Sequence, residues 1–334
     1  MLLPRCKIVI TSPSPECRVV MFDYVTEMEV VSSTLNFTDT AKVIVPRKLK
    51  YKGVSVTEFI KRNYTISIEA GYSDSLETIF KGYVKSVSSG TPIVIECENE
   101  VWKLKQIKMP ATSYIPFSIS KFLAEWMKDY VCKKADLTLP EVKIANDTPL
   151  AKVFDYLMTT YPIRFYFRGD VFFGILPNAL PLENADIKTI RFKIGHNTIS
   201  DSLTYTLAED VKVQVIAKVV TKENKKLEWK EPKDGEGAEV RTILIANAKT
   251  ESDLKQAALD WLKTFKVDKM SGDFLAFGEP FVRKGDLVYL FDEDHKEQND
   301  KKFMVDAVTY TFGQGGYRQK ITLGAEIHGS SGSN

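Results

Sequence analysis

The 334-residue sequence predicts a mainly β protein with an α+β middle, in which two small β-barrel domains flank a compact α/β domain. Three observations predict it. Short β-branched and aromatic runs crowd both ends of the chain, separated by Pro, Gly, Ser and Asn clusters. The hydrophobic period lengthens from two to 3.6 in the middle and in one later segment. One strand–turn–strand pattern recurs near both ends.

Composition bounds the function. A chain this long exceeds what one core usually spans, so two or three domains are expected. With 44% hydrophobic and 27% charged residues it has the make-up of a globular protein. Its 46 Lys+Arg against 44 Asp+Glu leave a net charge of +2, too balanced for a nucleic-acid footprint. No apolar run reaches the roughly 18 residues that span a bilayer. The opening "MLLPRCKIVITSPSP" lacks the basic start and long apolar core of a leader and reads as a first strand.

Residues 1–105 form the first predicted barrel. "CKIVI", "VTEMEVV", "AKVIVP", "YTISIEAGY", "TIFKGYVKSV" and "TPIVIECEN" are its strands, too closely spaced for crossover helices. Residues 106–195 are the middle domain. There Ile119, Phe122, Leu123, Trp126, Met127, Tyr130 and Val131 line one helical face. A second helix carries Leu150, Val153, Phe154, Leu157, Met158 and Tyr161. Thr148 is its expected cap, Pro149 sits in its first turn and Pro162 is its stop. "IRFYFRGDVFFGIL" follows as a hairpin turning at Arg168, Gly169 and Asp170. Residues 196–334 form the second barrel, interrupted by a helix at about 250–267. In it Thr250 and Asp253 make a capping box, and Leu254, Ala257, Ala258, Trp261, Leu262 and Phe265 are the apolar face. "KENKKLEWKEPKDGEGAE" reads as a solvated hairpin loop and "HGSSGSN" as a flexible tail.

The recurring pattern is "GYVKSV", turn, "TPIVIEC" against "FMVDAV", turn, "YRQKITLG". Val84 and Val87 match Val305 and Val308, and Gly90 and Gly313 follow them. Gly82 lies inside the first copy, where glycine weakens a strand. It marks either a bend in a closing sheet or the close approach of another backbone.

The ordered set "LNFTDTAKVIVPRKL", "YTISIEAGY", "TIFKGYVKSV" and "IECENEVWKLKQ" resembles the first barrel of the phage tail baseplate hub family. These late-control tail proteins are related to the base of type VI secretion spikes. "DTPLAKVFDYLMTTYPIRFYFRGDVFFGI" is similar to that family's middle domain, and "PFVRKGDLVYL…KKFMVDAVTYTF…GGYRQKITLG" to its second barrel. The resemblance implies tail-tube-like barrels and a homotrimeric ring with pseudo-sixfold symmetry joining a sixfold tail tube to a threefold spike. It implies a structural virion component assembled in the bacterial cytoplasm, in a phage, prophage or related contractile injection apparatus. Its partners would be further copies of itself, the tail-tube protein and a separate spike protein, with DNA passing through the lumen without sequence-specific binding. The rival readings are a monomeric β-rich binding module for a glycan or host surface, and a tail-borne cell-wall hydrolase.

Chemistry-bearing motifs are scarce, and no catalytic, cofactor or metal residue is expected. His196, His295 and His328 form no HxH, HExxH or Cys/His set. "FDEDHKEQND" is oxygen-rich but lacks the glycine and terminal Glu of a calcium loop. "GQGG" lacks the lysine of a phosphate loop. Arg168-Gly169-Asp170 spells an adhesion tripeptide, although Gly-Asp at a hairpin tip is also ordinary turn chemistry. Cys6, Cys17, Cys97 and Cys132 are widely spaced, which favours free thiols and selects no disulfide pair. Trp102 reads as core or interface. Arg47, Lys48, Lys50 and Lys52 are the densest positive charge, a loop facing solvent, a neighbour or the lumen.

Overall fold

The computed structural model describes residues 3–327 apart from 14, 16, 49, 52–53, 136, 140, 162, 177–186, 221–225, 236–237, 246–247, 249, 267–268, 294–298 and 300. His295, His328, Lys52, Pro162 and the tail therefore lie outside the described residues.

The first unit consists of β1 (Pro4–Thr11), β2 (Val19–Phe22), β3 (Glu27–Ser33), β4 (Thr40–Val45), β5 (Thr65–Tyr72), β6 (Ser75–Val87) and β7 (Ile93–Glu98). Its alternating patterns bury Ile8 and Ile10, Met28 and Val30, Val43 and Val45, and Ile66 and Ile68 on one face.

The middle unit carries α1 (Ile119–Trp126), β8 (Val131–Lys134), α2 (Leu150–Thr160), β9 (Arg164–Arg168) and β10 (Val171–Ile175). Ser118 caps α1 by accepting from Lys121 N. The helix stops earlier than its periodicity predicts. Met127 closes it, and Val131, 65% exposed, begins a strand parallel to β10. Thr148 does not cap α2. Its hydroxyl donates to Ala145 O at 2.7 Å, and Pro149 stands at the cap with no side-chain bond. The expected stripe does face inward: Leu150, Val153, Phe154 and Leu157 are buried, and Phe154 packs on Phe37, Phe122, Phe165 and Phe172. The hairpin turns at Gly169, whose φ of 58° is a left-handed value that glycine accepts at no steric cost.

In the second unit, β11 (Thr189–Lys193), β12 (Thr198–Asp201) and β13 (Thr204–Thr206) precede an inserted layer. That layer is β14 (Val213–Val220), β15 (Lys226–Glu231), β16 (Glu239–Leu244) and α3 (Glu251–Phe265). The predicted solvated loop contains a strand, Lys226–Glu231, paired antiparallel to β14. The capping box forms as expected: Asp253 N donates to Thr250 Oγ1 and Thr250 N to Asp253 Oδ2. Leu254 and Ala258 of α3 are buried against Val213, Val215, Ala217 and Val219 of the small sheet. The chain then returns through β17 (Lys269–Ser271), β18 (Asp273–Phe277), β19 (Leu287–Phe291), β20 (Lys302–Gly313) and β21 (Gly316–Glu326).

The predicted class stands: mainly β, with a mixed middle. The two β units are halves of one open 13-stranded sheet, and no hydrogen-bonded closure into separate barrels occurs among the described strands. The sheet runs β2-β1-β5-β6-β7-β4-β3-β20-β21-β18-β12, with β19 on β20 and β11 on β19. β1-β5-β6-β7-β4-β3 and β11-β19-β20-β21-β18-β12 follow the same order, position for position. The departure is β11, parallel to β19 where β1 is antiparallel to β5.

The repeat extends to its irregularities. Register slips between Val84 and Ser86 opposite Cys97 and Glu96, and again between Val305 and Ala307 opposite Leu323 and Thr322. Each bulge sets one residue, Lys85 or Asp306, outside the ladder and steepens the local twist. The matched valines Val84, Val305 and Val308 are fully buried, and all belong to one core running through both units. Gly90 and Gly313 are not register equivalents, because β20 continues past the point where β6 turns. Gly82 is explained by backbone approach: a Cβ there would lie 2.2 Å from Glu98 O and 2.9 Å from Asn99 Cα.

Candidate functional site: the joint between the repeated units

The two repeats meet edge to edge. β3 pairs antiparallel with β20 from Ser33 opposite Ala307 to Glu27 opposite Gly313. Ladder bonds and the shared core fix this joint, and a cluster of charges from all three units closes its inner end.

Three buried acids organise that cluster. Asp39, on the loop after β3, takes the Lys284 ammonium at 2.7 and 2.6 Å on its two oxygens and Ser33 N at 3.0 Å on Oδ1. Lys284 also donates to Ser33 O at 3.1 Å and lies 5.5 Å from the Tyr166 ring centre. Burial pulls the Lys284 pKa below its ordinary value, and the adjacent Asp39 carboxylate opposes that shift. Asp286 accepts Arg168 Nη2 at 2.7 Å, Lys188 N at 3.0 Å and Arg283 N at 2.8 Å. Asp306, the bulge residue of β20, binds Arg164, whose Nη1 also reaches Thr34 Oγ1 at 3.1 Å. Burial raises the Tyr166 phenol to about 12, with Arg168 and Arg164 opposing it. Arg168 belongs to this joint and is 9% exposed at its side chain. The Arg168-Gly169-Asp170 stretch acts as turn chemistry, with its arginine facing inward rather than out to a receptor. Asp170 pairs with Lys81 at 3.4 Å.

A second lock lies deeper between the repeats. The Tyr72 hydroxyl donates to Tyr317 O at 2.9 Å and accepts from Gly278 N at 3.2 Å. Gly278 admits the Tyr317 ring, since a Cβ would sit 1.9 Å from Tyr317 Cδ1. Gln319, fully buried, donates to Phe277 O and Pro280 O and accepts from Val282 N.

Beside the joint opens a cleft of about 870 Å³ lined by Asp39, Phe80, Glu100, Lys103, Tyr130 and Arg283 among others. It has mixed charge, and no group of three or more His, Cys, Asp or Glu arranged to hold a metal occurs among the described residues. The arrangement can fix units against one another.

The remaining residues flagged in the sequence fall elsewhere. His196 sits in the turn after β11, its N–H on Lys193 O. Trp102 is 6% exposed, donates to Asn63 Oδ1 and lies under Arg62, so it is core. Arg47 donates to Thr91 Oγ1 on the exterior of the first unit. Cys6, Cys17, Cys97 and Cys132 are free thiols, and burial raises Cys6 to about 11. Sequence reasoning did not single out Asp39, Arg164, Lys284, Asp286 or Asp306. The one available signal was Asp306 inside the matched "FMVDAV", where its counterpart is Lys85.

Taken as a whole, the chain has a fold similar to that of phage tail proteins and of a type VI secretion component. Three solved structures carry the comparison. A tail protein from Neisseria meningitidis MC58 superposes with a TM-score of 0.63 at 11% identity, covering 97% of each chain. The 43 kDa tail protein of prophage MuSo2 from Shewanella oneidensis gives 0.60 at 12%, over 95% of this chain and 97% of that one. The Escherichia coli c3393 protein, a type VI secretion component similar to the T4 tail proteins gp27 and gp5, gives 0.52 at 9%, over 92% and 74%. No protein-family profile matches the sequence. No curated protein matches it either.

Proposed function

We propose that the chain is the structural hub of a phage tail baseplate or of a related contractile injection apparatus. Three copies form a ring whose six repeated units match a sixfold tail tube on one side, while its threefold symmetry matches a spike on the other. The partners are further copies of the chain, the tube protein and a separate spike protein, and the lumen passes DNA without reading its sequence. The role is mechanical and non-enzymatic: the protein is a virion tail component assembled in the cytoplasm of the host.

The observation that carries this reading is the repeated ladder order within one chain, joined edge to edge through β3 and β20. A monomeric binding module has no need of two copies of one unit fused in a single sheet. A subunit standing for two positions of a pseudo-sixfold ring does. The buried charges fit the same role, because they fix the angle between repeats where ring closure demands one value. Light scattering across a concentration series tests it, followed by imaging of any assembly. A mass of three chains with a ring-shaped particle is the expected result. A single chain at every concentration, unchanged by the tube and spike proteins, overturns it.

A further inference from the structure

We propose that the strand pair β12–β13 of one copy adds to the open edge of β6 in the next copy, with Ser86 opposite Thr206, Val87 opposite Tyr205 and Ser88 opposite Thr204. The inference rests on the ring reading and gives it a register.

The register follows from the repeat. The matching bulges make Val305, Ala307 and Val308 equivalent to Val84, Ser86 and Val87. Val87 faces Ile95 as Val308 faces Ile321, and these in turn face Val43 and Phe274. β17–β18 is thereby equivalent to β4. Across it, Val43 pairs with Met28 and Thr40 with Val31, as Phe274 pairs with Asp201 and Ser271 with Thr204. So β12–β13 is the counterpart of β3, with Val31, Ser32 and Ser33 equivalent to Thr204, Tyr205 and Thr206.

Within the chain, β3 occupies the edge of β20 that faces away from β21, with Ser33 opposite Ala307 and Val31 opposite Thr309. The same edge of β6 loses β5 beyond Val84, where Asn63 N and Tyr64 O make the last bonds. A cleft of about 780 Å³ follows there, lined by Lys85, Ser86, Val87, Ser88, Lys61 and Arg62 among others. β12, the counterpart of β3, ends the 13-stranded sheet and is paired on one side, to β18. Each chain therefore offers one strand and one receiving edge, a head-to-tail contact that closes into a ring or runs on as a filament. Exposed Glu209 and Asp210 follow β13, and exposed Lys61 and Arg62 flank the receiving edge, so the two surfaces carry opposite charges. Thr34 N bonds Asp306 O at 2.7 Å at the inner end of the existing joint, and Leu207 N meets Lys85 O at the equivalent point of the new one.

The test is a cysteine pair in the full chain. Cross-strand partners lie about 4.5–5.5 Å apart at Cα, inside disulfide range. Ser88→Cys with Thr204→Cys, in a Cys17→Ser background, is expected to give covalent products of up to three chains on mild oxidation. The shifted pair Ser88→Cys with Ile199→Cys is expected to give none. A mass of three chains without cross-linking at Ser88 and Thr204 overturns this register and leaves the trimeric ring standing. A single-chain mass together with no cross-linking counts against both. As a variant that leaves the strands intact, Lys61→Glu is expected to weaken self-association several-fold and Glu209→Lys in the same chain to restore it. Restoration without cross-linking also overturns the register.

Discussion

Replacing Lys284 by methionine removes the ammonium that faces Asp39 and keeps most of the side-chain volume. Asp39, 7% exposed, would retain Ser33 N at 3.0 Å and the Ser32 hydroxyl at 3.4 Å. Breaking a buried ion pair from one side costs about 3–5 kcal/mol, and these two surviving bonds place Lys284→Met at the lower end. Asp39→Asn keeps an oxygen for Ser33 N but leaves the buried ammonium without its counter-charge, beside Ser33 O, for an expected loss of about 3–5 kcal/mol. Both changes remove the same contact, so the double variant should lose less than the sum, by a coupling of about 2 kcal/mol. Urea unfolding of the four proteins, followed by tryptophan fluorescence and by circular dichroism, measures each term. Losses under about 1 kcal/mol for both single variants, or strict additivity, would refute the argument that this pair braces the joint.

Gly82→Ala is expected to cost about 2 kcal/mol or more, since the new methyl meets the Glu98 carbonyl 2.2 Å away. Gly90→Ala, whose nearest such contact is Pro92 O at 3.7 Å, should stay within about 0.5 kcal/mol, and thermal melts compare the two. Burial pushes the Glu98 carboxyl up, but bonds from Lys105 and Lys85 outweigh it and hold its pKa below the ordinary 4.5. Its contribution is therefore full above pH 4.5 and lost as pH falls through the depressed folded value, so Glu98→Gln should flatten the melting temperature between pH 5 and 3. Phe154→Ala is expected to cost about 3–5 kcal/mol by emptying the centre of the middle core, measured by urea unfolding. Thr250→Ala should loosen α3 by about 1 kcal/mol, visible as faster amide exchange confined to that helix.

Local rules made much of the fold legible. The Thr250–Asp253 cap, the glycine of the Arg168–Asp170 turn and the stripe on α2 are encoded within four residues of themselves. The repeat was legible through Val84 and Val305, because a conserved bulge needs the same inward residue before it. Met127 to Val131 was misread because Tyr130 and Val131 continue the apolar helical spacing, although Val131 is exposed where it pairs with β10. A polar neighbour stretch hid the strand at Lys226–Glu231, whose Leu227 and Trp229 pack on the core of the inserted layer. The charge cluster was illegible for a different reason. Lys284 and Asp39 are 245 residues apart and Arg164 and Asp306 are 142 apart, so no window of sequence contains a pair. A charged residue reads as solvated until the fold brings its partner.

The strand joint also sets a timetable. Ser33 and its partner at Asp306 are separated by 273 residues. At roughly 5–20 residues per second, the ribosome needs about 15–55 s to deliver β20 after β3. Throughout that interval the nascent first unit carries β3 as a bare edge, a template for pairing with a neighbouring nascent chain. Glu27, Glu29, Ser32 and Ser33 populate that strand with charge and hydroxyls. They act as gatekeepers that keep the edge single until its own C-terminal half arrives.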